Sequence, residues 1–376
     1  MKVLFLACSA FVIGAGVSLR TSWILVARIE RIAQRFGHGE ALVGLIAALA
    51  GDSPEITSAV TAMVRHDRAI GAGVVLGSNV FNLAALLGLG AVLAGTIAVH
   101  RRVILLSGTI ASLVALSCLL AVTGLLSAPV ALALALAVLL PYVAVLALSQ
   151  LSIARIPLPE SWVTALGAAV QEEVEEYEAS VHLPRAGRRD AVAVAGSLTL
   201  VVAASIAMED AASYLGAHWS IPGIITGGVV LAAVTSIPNA VAAVYLARRR
   251  RGIAVLSTAL NSNTVNAIAG FLVPAAIVGS VTGATARDVG GWYLGFTLAV
   301  LALAYRDAAL RRRAGLVVIA AYLVFVASLV LATFQAELPV AVAAGGAVGA
   351  ALLLGALVLR PGQRVSPLLG RGALGE

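Results

Sequence analysis

The sequence predicts an all-α, polytopic membrane protein, an inverted repeat of five plus five transmembrane helices with an eleventh helix outside the pattern. Three observations predict it. Apolar residues make up 61% of the chain and charged residues 11%, and many stretches exceed the ~20 apolar residues that cross a bilayer. A polar segment recurs 184 residues further on without a gap: one offset aligns Gly44 with Gly228, Pro54 with Pro238, Ser78 with Ser262, Asn79 with Asn263 and Asn82 with Asn266. The basic residues gather on alternate loops.

The apolar runs give eleven spans, roughly 3–27, 40–63, 70–97, 103–124, 128–150, 191–213, 221–246, 252–279, 289–305, 315–334 and 338–359. The start, Met1-Lys2 followed by an apolar run to Val17, has the look of a secretory signal. The run continues through Trp23-Ile24-Leu25-Val26 and fills the place of a first helix. Arg28, Arg31 and Arg35 follow span one, Arg101 and Arg102 span three, and Arg155, Arg185, Arg188 and Arg189 lie between spans five and six. Arg248 to Arg251 follow span seven, Arg306 and Arg311 to Arg313 span nine, and Arg360, Arg364 and Arg371 span eleven. Lys2, Arg65, Arg68 and Arg287 fall on the other side, and Arg20 falls within span one. The positive-inside rule then sets a multi-pass protein of the cell membrane with its N-terminus outside and its C-terminus in the cytoplasm.

Five spans separate the starts of the two repeats, and five is odd, so the second enters the membrane from the opposite side. The organisation is a first half over 1–150 with its motif at 40–95, a cytoplasmic linker over 151–190, a second half over 191–334 with its motif at 221–279, and an extra helix and tail over 335–376. The linker carries the acidic run Glu172-Glu173-Val174-Glu175-Glu176-Tyr177-Glu178. It lacks the alternating oxygen ligands and the glycine of an EF-hand loop and reads as a solvated amphipathic helix.

The net charge of +7 calls for no nucleic-acid partner, because the arginines are dispersed at helix ends. The expected partners are the lipid bilayer and small cations. Cys8 and Cys118 lie in apolar runs and the five histidines do not cluster, so neither a disulfide framework nor a zinc site is expected.

The chemistry sits inside the spans. An ionisable side chain at mid-bilayer costs about 2.5–3.5 kcal/mol on insertion scales. Asp52 and Glu55 are three residues apart near the middle of span two, on one helix face. Two adjacent carboxylates in hydrocarbon need a bound cation or protons to balance them. Pro54 and Pro238 remove a backbone donor and are expected to free the carbonyls of Ala50 and Val234, hard oxygens suited to Na⁺ or Ca²⁺. Ser78 and Asn82 on span three, and Ser262 and Asn266 on span eight, are one turn apart and project from one face in each copy. Taken singly such residues make interhelical hydrogen bonds. Repeated at one spacing in both halves, they are expected to line an ion site, since polar, Pro-interrupted segments at matching positions of two halves mark secondary transporters.

These residues resemble a known family. The segment from Phe36-Gly37 through Gly51-Asp52-Ser53-Pro54-Glu55 to Gly77-Ser78-Asn79-Val80-Phe81-Asn82 is similar to the first alpha repeat of the cation/calcium exchanger superfamily, the sodium/calcium exchangers and their relatives. Thr235-Ser236-Ile237-Pro238-Asn239 with Asn261-Ser262-Asn263-Thr264-Val265-Asn266 is similar to the second, in a degenerate form. The resemblance implies ten core helices, repeats that meet at mid-membrane, alternating access by sliding of the first and sixth helices, and exchange of Ca²⁺ against Na⁺ or H⁺. It implies that Glu55 is the Ca²⁺-binding glutamate of the first repeat and that Thr235 and Ser236 are the Thr-Ser pair of the second. Ser78, Asn82, Ser262 and Asn266 then match the ligands of the neighbouring helices. Asn239 stands where the second repeat normally has an acid, and Gly51 and Asp52 stand where the first commonly has small hydroxyl residues.

The expected metal-binding set is therefore Glu55, Asp52, Asn82, Ser78, Asn239, Thr235, Ser236, Ser262 and Asn266. The cations are cargo, and no cofactor is implied. Two carboxylates balance one Ca²⁺, two Na⁺ or two H⁺. The leading expectation is a Ca²⁺ antiporter driven by Na⁺ or H⁺, with an exchanger for Na⁺/H⁺ or another divalent ion, or a transport-inactive sensor or assembly protein, as alternatives. An intramembrane aspartyl protease needs paired aspartates on facing helices. The second half offers Asn239 and Asn266 instead, so no enzyme is expected.

Overall fold

The computed structural model describes residues 2–35, 51–147, 187–248 and 252–334. The linker run, the first half of span two with Ala50, and span eleven lie outside them.

Apolar sequences with few breakers make helices that hide their own backbone polar groups, as lipid requires. The helices are α1 (Lys2–Arg35), α2 (Ser53–Val64), α3 (Arg68–Ala94), α4 (Arg101–Val122), α5 (Ala128–Ala147) and α6 (Arg188–His218). They continue as α7 (Gly223–Thr235), α8 (Ile237–Arg248), α9 (252–278), α10 (Ala284–Asp307) and α11 (Arg312–Phe334). Among the described residues six helices are long and apolar enough to cross a membrane, and Ala128–Ala144 and Gly223–Thr235 are shorter apolar helices.

Burial divides these helices. The apolar window of α3 is 94% buried, whereas those of α1 and α6 are only 17% and 28% buried. The central helix is surrounded by protein. The α1–α6 pair packs mainly on itself at the periphery and turns residues such as Phe5, Leu6, Ile13 and Leu200 outward. Such an apolar outer face suits lipid. Arg28 of α1 meets Asp190 of α6 at 2.7 Å, and Arg65, beyond α2, pairs with Glu209 and Asp210 of α6.

Three features depart from an uninterrupted helical reading. The polypeptide breaks helix geometry at Asp52 (φ −82°, ψ 0°) and at Ser236 (φ −88°, ψ 0°), positions related by the repeat offset. Pro54 therefore falls in the first turn of α2 and Pro238 is the second residue of α8. A missing N–H costs little there, because those donors have no intrahelical partner in any case. Second, α3 and α9 pass through π-helical stretches at matching places, Leu83–Leu89 and Asn266–Leu272, and α7 has one at Thr226–Leu231. A π turn rotates the face presented beyond it and recurs at functional sites. Third, Thr96–Ala98 (β1) pairs antiparallel with Ala309–Arg311 (β2), a small ribbon the all-α expectation did not contain. It staples the loop after α3 to the loop after α10, and Arg101 reinforces it by donating to the Tyr305 and Arg306 carbonyls at 3.0 and 3.2 Å.

Backbone approaches backbone where α3 crosses α7. A Cβ on Gly77 would collide with the Gly228 backbone, and one on Gly73 or Gly227 with the carbonyls of Ile224 or Ile70. With lipid on both sides of the comparison, close van der Waals contact is what holds such a crossing. Gly77→Ala is expected to lower stability by about 1–3 kcal/mol through overpacking. Thermal unfolding in detergent should show a lower midpoint for this variant, with Gly16→Ala, which points into open space, unchanged.

Candidate cation-binding site

The two helix breaks bring the repeats together. Asp52 and Ser236 occupy the breaks themselves, and Glu55 and Asn239 follow one turn later on α2 and α8. Ser78, Asn79 and Asn82 come from α3, and Ser262, Asn263 and Asn266 from α9. All ten are buried, and Asp52, Glu55, Ser78, Asn79, Asn82, Ser236 and Asn266 have no exposed surface.

Their hydrogen bonds obey a two-fold exchange of the repeats. Asn79 Nδ2 donates to the Asn263 carbonyl at 3.1 Å, and Asn263 Nδ2 returns to the Asn79 carbonyl at 2.9 Å. Asn82 Nδ2 donates to Ser262 Oγ and Asn263 Oδ1 at 3.4 and 3.1 Å. Asn266 Nδ2 donates to the equivalent Ser78 Oγ and Asn79 Oδ1 at 2.9 and 3.2 Å. Asn239 Nδ2 donates to Asp52 Oδ1 at 2.8 Å, and the equivalent bond runs from Ser236 Oγ to Glu55 Oε1 at 3.0 Å. Reciprocal contacts of this kind are those of an isologous interface, here formed within one chain.

The symmetry fails in charge, and with it in one hydroxyl: Ser262 turns to a carboxylate, whereas Ser78 Oγ donates to the Val75 carbonyl of its own helix at 3.1 Å. Both carboxylates belong to the first repeat, and neutral side chains stand opposite them. Asp52 faces the cluster: Ser262 Oγ donates to its Oδ1 at 2.6 Å in addition to Asn239. Glu55 Oε1 also accepts from Asn239 Nδ2 at 3.4 Å. Among the described residues no arginine, lysine or histidine pairs with either carboxylate.

What is left over is chemically uniform. Asp52 Oδ2, Glu55 Oε2, Asn82 Oδ1 and Asn266 Oδ1 are buried without a hydrogen-bond partner. All four are acceptor oxygens, while the cluster's amide nitrogens each have a partner. An unsatisfied buried acceptor costs about 1–3 kcal/mol, more when charged. Two carboxylate oxygens and two amide oxygens of one hydrogen-bonded cluster make an oxygen-only donor set of the kind a hard cation such as Ca²⁺ or Na⁺ takes. Among the described residues no group of three or more His, Cys, Asp or Glu side chains gathers as a metal site; the set here has two carboxylates and draws its remaining donors from amides.

Eight of the nine residues expected from sequence meet in this network. Thr235 does not join it by its hydroxyl, which bonds to the Leu231 carbonyl of its own helix at 2.9 Å. A threonine in a helix interior readily makes this backward bond. Asn79 and Asn263 were visible as duplicated residues, but their role as reciprocal cross-links between α3 and α9 was not anticipated. Ser58, one turn beyond Glu55, also keeps a buried hydroxyl without a partner.

The geometry can be set beside known proteins. No curated protein matches the sequence. Among solved structures, the chain is similar to a crystal structure of the H⁺/Ca²⁺ exchanger CAX, with 13% identity, 93% of this chain and 87% of that one covered, and a TM-score of 0.65. It is also similar to the sodium-calcium exchanger NCX_Mj soaked with 100 mM Na⁺ and 10 mM Sr²⁺, with 19% identity, coverage of 86% and 99%, and a TM-score of 0.53. At these identities the likeness shows the fold. The family model described as sodium/calcium exchanger protein matches residues 3–151 and 190–331, taking in both copies of the motif. With most of its length matched, the chain belongs to the sodium/calcium exchanger family.

Proposed function

We propose that this member of the exchanger family is a secondary active antiporter that carries Ca²⁺ against Na⁺ or H⁺ through the cluster between the two helix breaks. The observation that carries the reading is the set of four unpartnered buried oxygens, Asp52 Oδ2, Glu55 Oε2, Asn82 Oδ1 and Asn266 Oδ1. A permanent structural network would use its acceptors. This one keeps them free, together with two carboxylates that have no counter-charge among the described residues. The family consists of exchangers rather than enzymes.

In this reading Asp52 and Glu55 supply the charge, Asn82 and Asn266 supply neutral ligands, and Ser236, Asn239 and Ser262 hold the carboxylates in place. Ser78 holds Asn266, and Thr235 serves the break in α7 rather than the ion. The exposed apolar faces of α1 and α6 suit a pair that shifts against the core, with Arg65 to Glu209 and Asp210 as a polar tie between the two bodies. The N-terminus lies outside and the C-terminus in the cytoplasm, because the ribbon end of the molecule collects Arg101, Arg102, Arg248 and Arg311 to Arg313.

The test is ion flux into vesicles containing the purified full chain. An imposed Na⁺ or H⁺ gradient should drive Ca²⁺ uptake, and the cation that drives it names the coupling ion. Uptake driven by neither gradient would sink the proposal. Two pocket charges balance one Ca²⁺ or two monovalent cations, so exchange is expected to be electroneutral. Clamping the membrane potential at different values should leave the rate unchanged. A steep voltage dependence would show that the charge count is incomplete.

A further inference from the structure

The ion cluster does not use Arg20. This residue lies in the apolar window Lys2–Leu25 of α1, roughly 7 Å along the axis from the window's end. Its neighbours in charge are satisfied: Arg28 has Asp190, and Arg65 has Glu209 and Asp210. Among the described residues nothing pairs with the Arg20 guanidinium, and its side chain is exposed. A charge inside an apolar span that has no protein partner calls for a partner from elsewhere.

The side chain sits on an open groove of about 470 Å³ between α1 and the α7–α8 break. Gly16, Leu19 and Trp23 line one wall, and Val234 and Ile237 the other. The wall is apolar apart from Arg20. Gly16 borders open space, since a Cβ there meets nothing within 4 Å, whereas a Cβ on Gly14 would press on Met208 of α6 at 2.7 Å. Trp23, 46% exposed and about one turn beyond Arg20, lines the groove beside it. An open apolar groove lined by an arginine that has no partner among the described residues suits a phospholipid with a negatively charged head.

We propose that this groove binds an anionic phospholipid, with its acyl chain along Gly16, Leu19, Val234 and Ile237 and its phosphate on Arg20. The chain would rest on the two residues that bracket Thr235 and Ser236, and Ser236 is the hydrogen-bond donor to Glu55. The bound lipid therefore touches the broken helix behind the ion cluster without touching the ions.

The experiment measures lipid retention, so its outcome is independent of the transport reading. The full chain is reconstituted in nanodiscs of phosphatidylcholine with graded phosphatidylglycerol, re-extracted, and its retained lipid counted by native mass spectrometry. Arg20→Gln is expected to lower phosphatidylglycerol retention about fivefold, the factor one arginine contributes at an anionic surface. Gly16→Phe is expected to abolish it by filling the groove, and Arg312→Gln, on the exposed ribbon face, to leave it unchanged. Thermal unfolding midpoints check that each variant is folded. Retention unchanged in Arg20→Gln or in Gly16→Phe, or lost equally in Arg312→Gln, would overturn the proposal, the last because it would mark bulk attraction of basic residues to the bilayer.

Discussion

Glu55→Gln is expected to lower gradient-driven Ca²⁺ uptake by at least about 100-fold while leaving the protein folded. Glu55 is fully buried, and only its Oε1 is engaged, by Ser236 and Asn239. Glutamine keeps that acceptor and the side-chain shape. The amide nitrogen replaces Oε2, the oxygen that has no partner in the protein. The fold therefore loses little, and a cation loses half of its counter-charge and one of its oxygens. Removing one partner of a buried charge pair costs about 3–5 kcal/mol, and every ~1.4 kcal/mol is tenfold, which gives the stated factor. Initial rates of uptake in vesicles, with protein content and unfolding midpoint matched to the wild type, provide the measurement. Uptake at the wild-type rate would remove Glu55 from the mechanism.

The second large effect concerns the placement of charge. By the repeat offset Asp52 corresponds to Ser236, and Glu55 to Asn239. The first repeat holds both carboxylates and the second holds their neutral counterparts. The Asn239 amide touches Asp52 Oδ1 at 2.8 Å, so the two side chains address one volume from opposite helices. Asp52→Ser should cost about 100-fold in uptake by the same charge argument. Adding Asn239→Asp to it returns the second carboxylate from the facing helix and should recover the rate to within about tenfold of wild type. A double-mutant cycle then yields a large coupling between positions that adjoin, where additivity is not expected. A double variant as inactive as Asp52→Ser would mean that Asp52 acts through its own position, bonded to Ser262, and that the number of charges is not the controlling quantity.

Much of this site could be read from the chain. A carboxylate pair at Asp52 and Glu55 is conspicuous where charged residues are 11% of the composition, because hydrocarbon makes each one costly. The offset that aligns Ser78 with Ser262 and Asn82 with Asn266 marked the polar residues of both copies, and in the structure each asparagine bonds to the serine of the other copy, Asn82 to Ser262 and Asn266 to Ser78. The breaks at Asp52 and Ser236 were less legible. Pro54 and Pro238 pointed to freed carbonyls within continuous spans, whereas the interruption precedes each proline and leaves it in a first turn. The Thr96–Ala98 and Ala309–Arg311 ribbon was invisible, since three residues carry no usable alternation and the pairing joins segments more than two hundred residues apart.

By itself the sequence determined the membrane class, the duplication, the family and the identity of the oxygen-bearing side chains, all of which depend on residue type and spacing. Only the tertiary structure decided which oxygens are spent and which are left free. Each asparagine offers both a donor and an acceptor, and which one is consumed depends on what the crossing helix brings within reach. Thr235 turned back to Leu231, while Asn82 and Asn266 spent their nitrogens across the two-fold and kept their oxygens. The same holds for charge at the periphery: Arg28 and Arg20 are alike in sequence, and only packing gave Asp190 to the first and an open groove to the second.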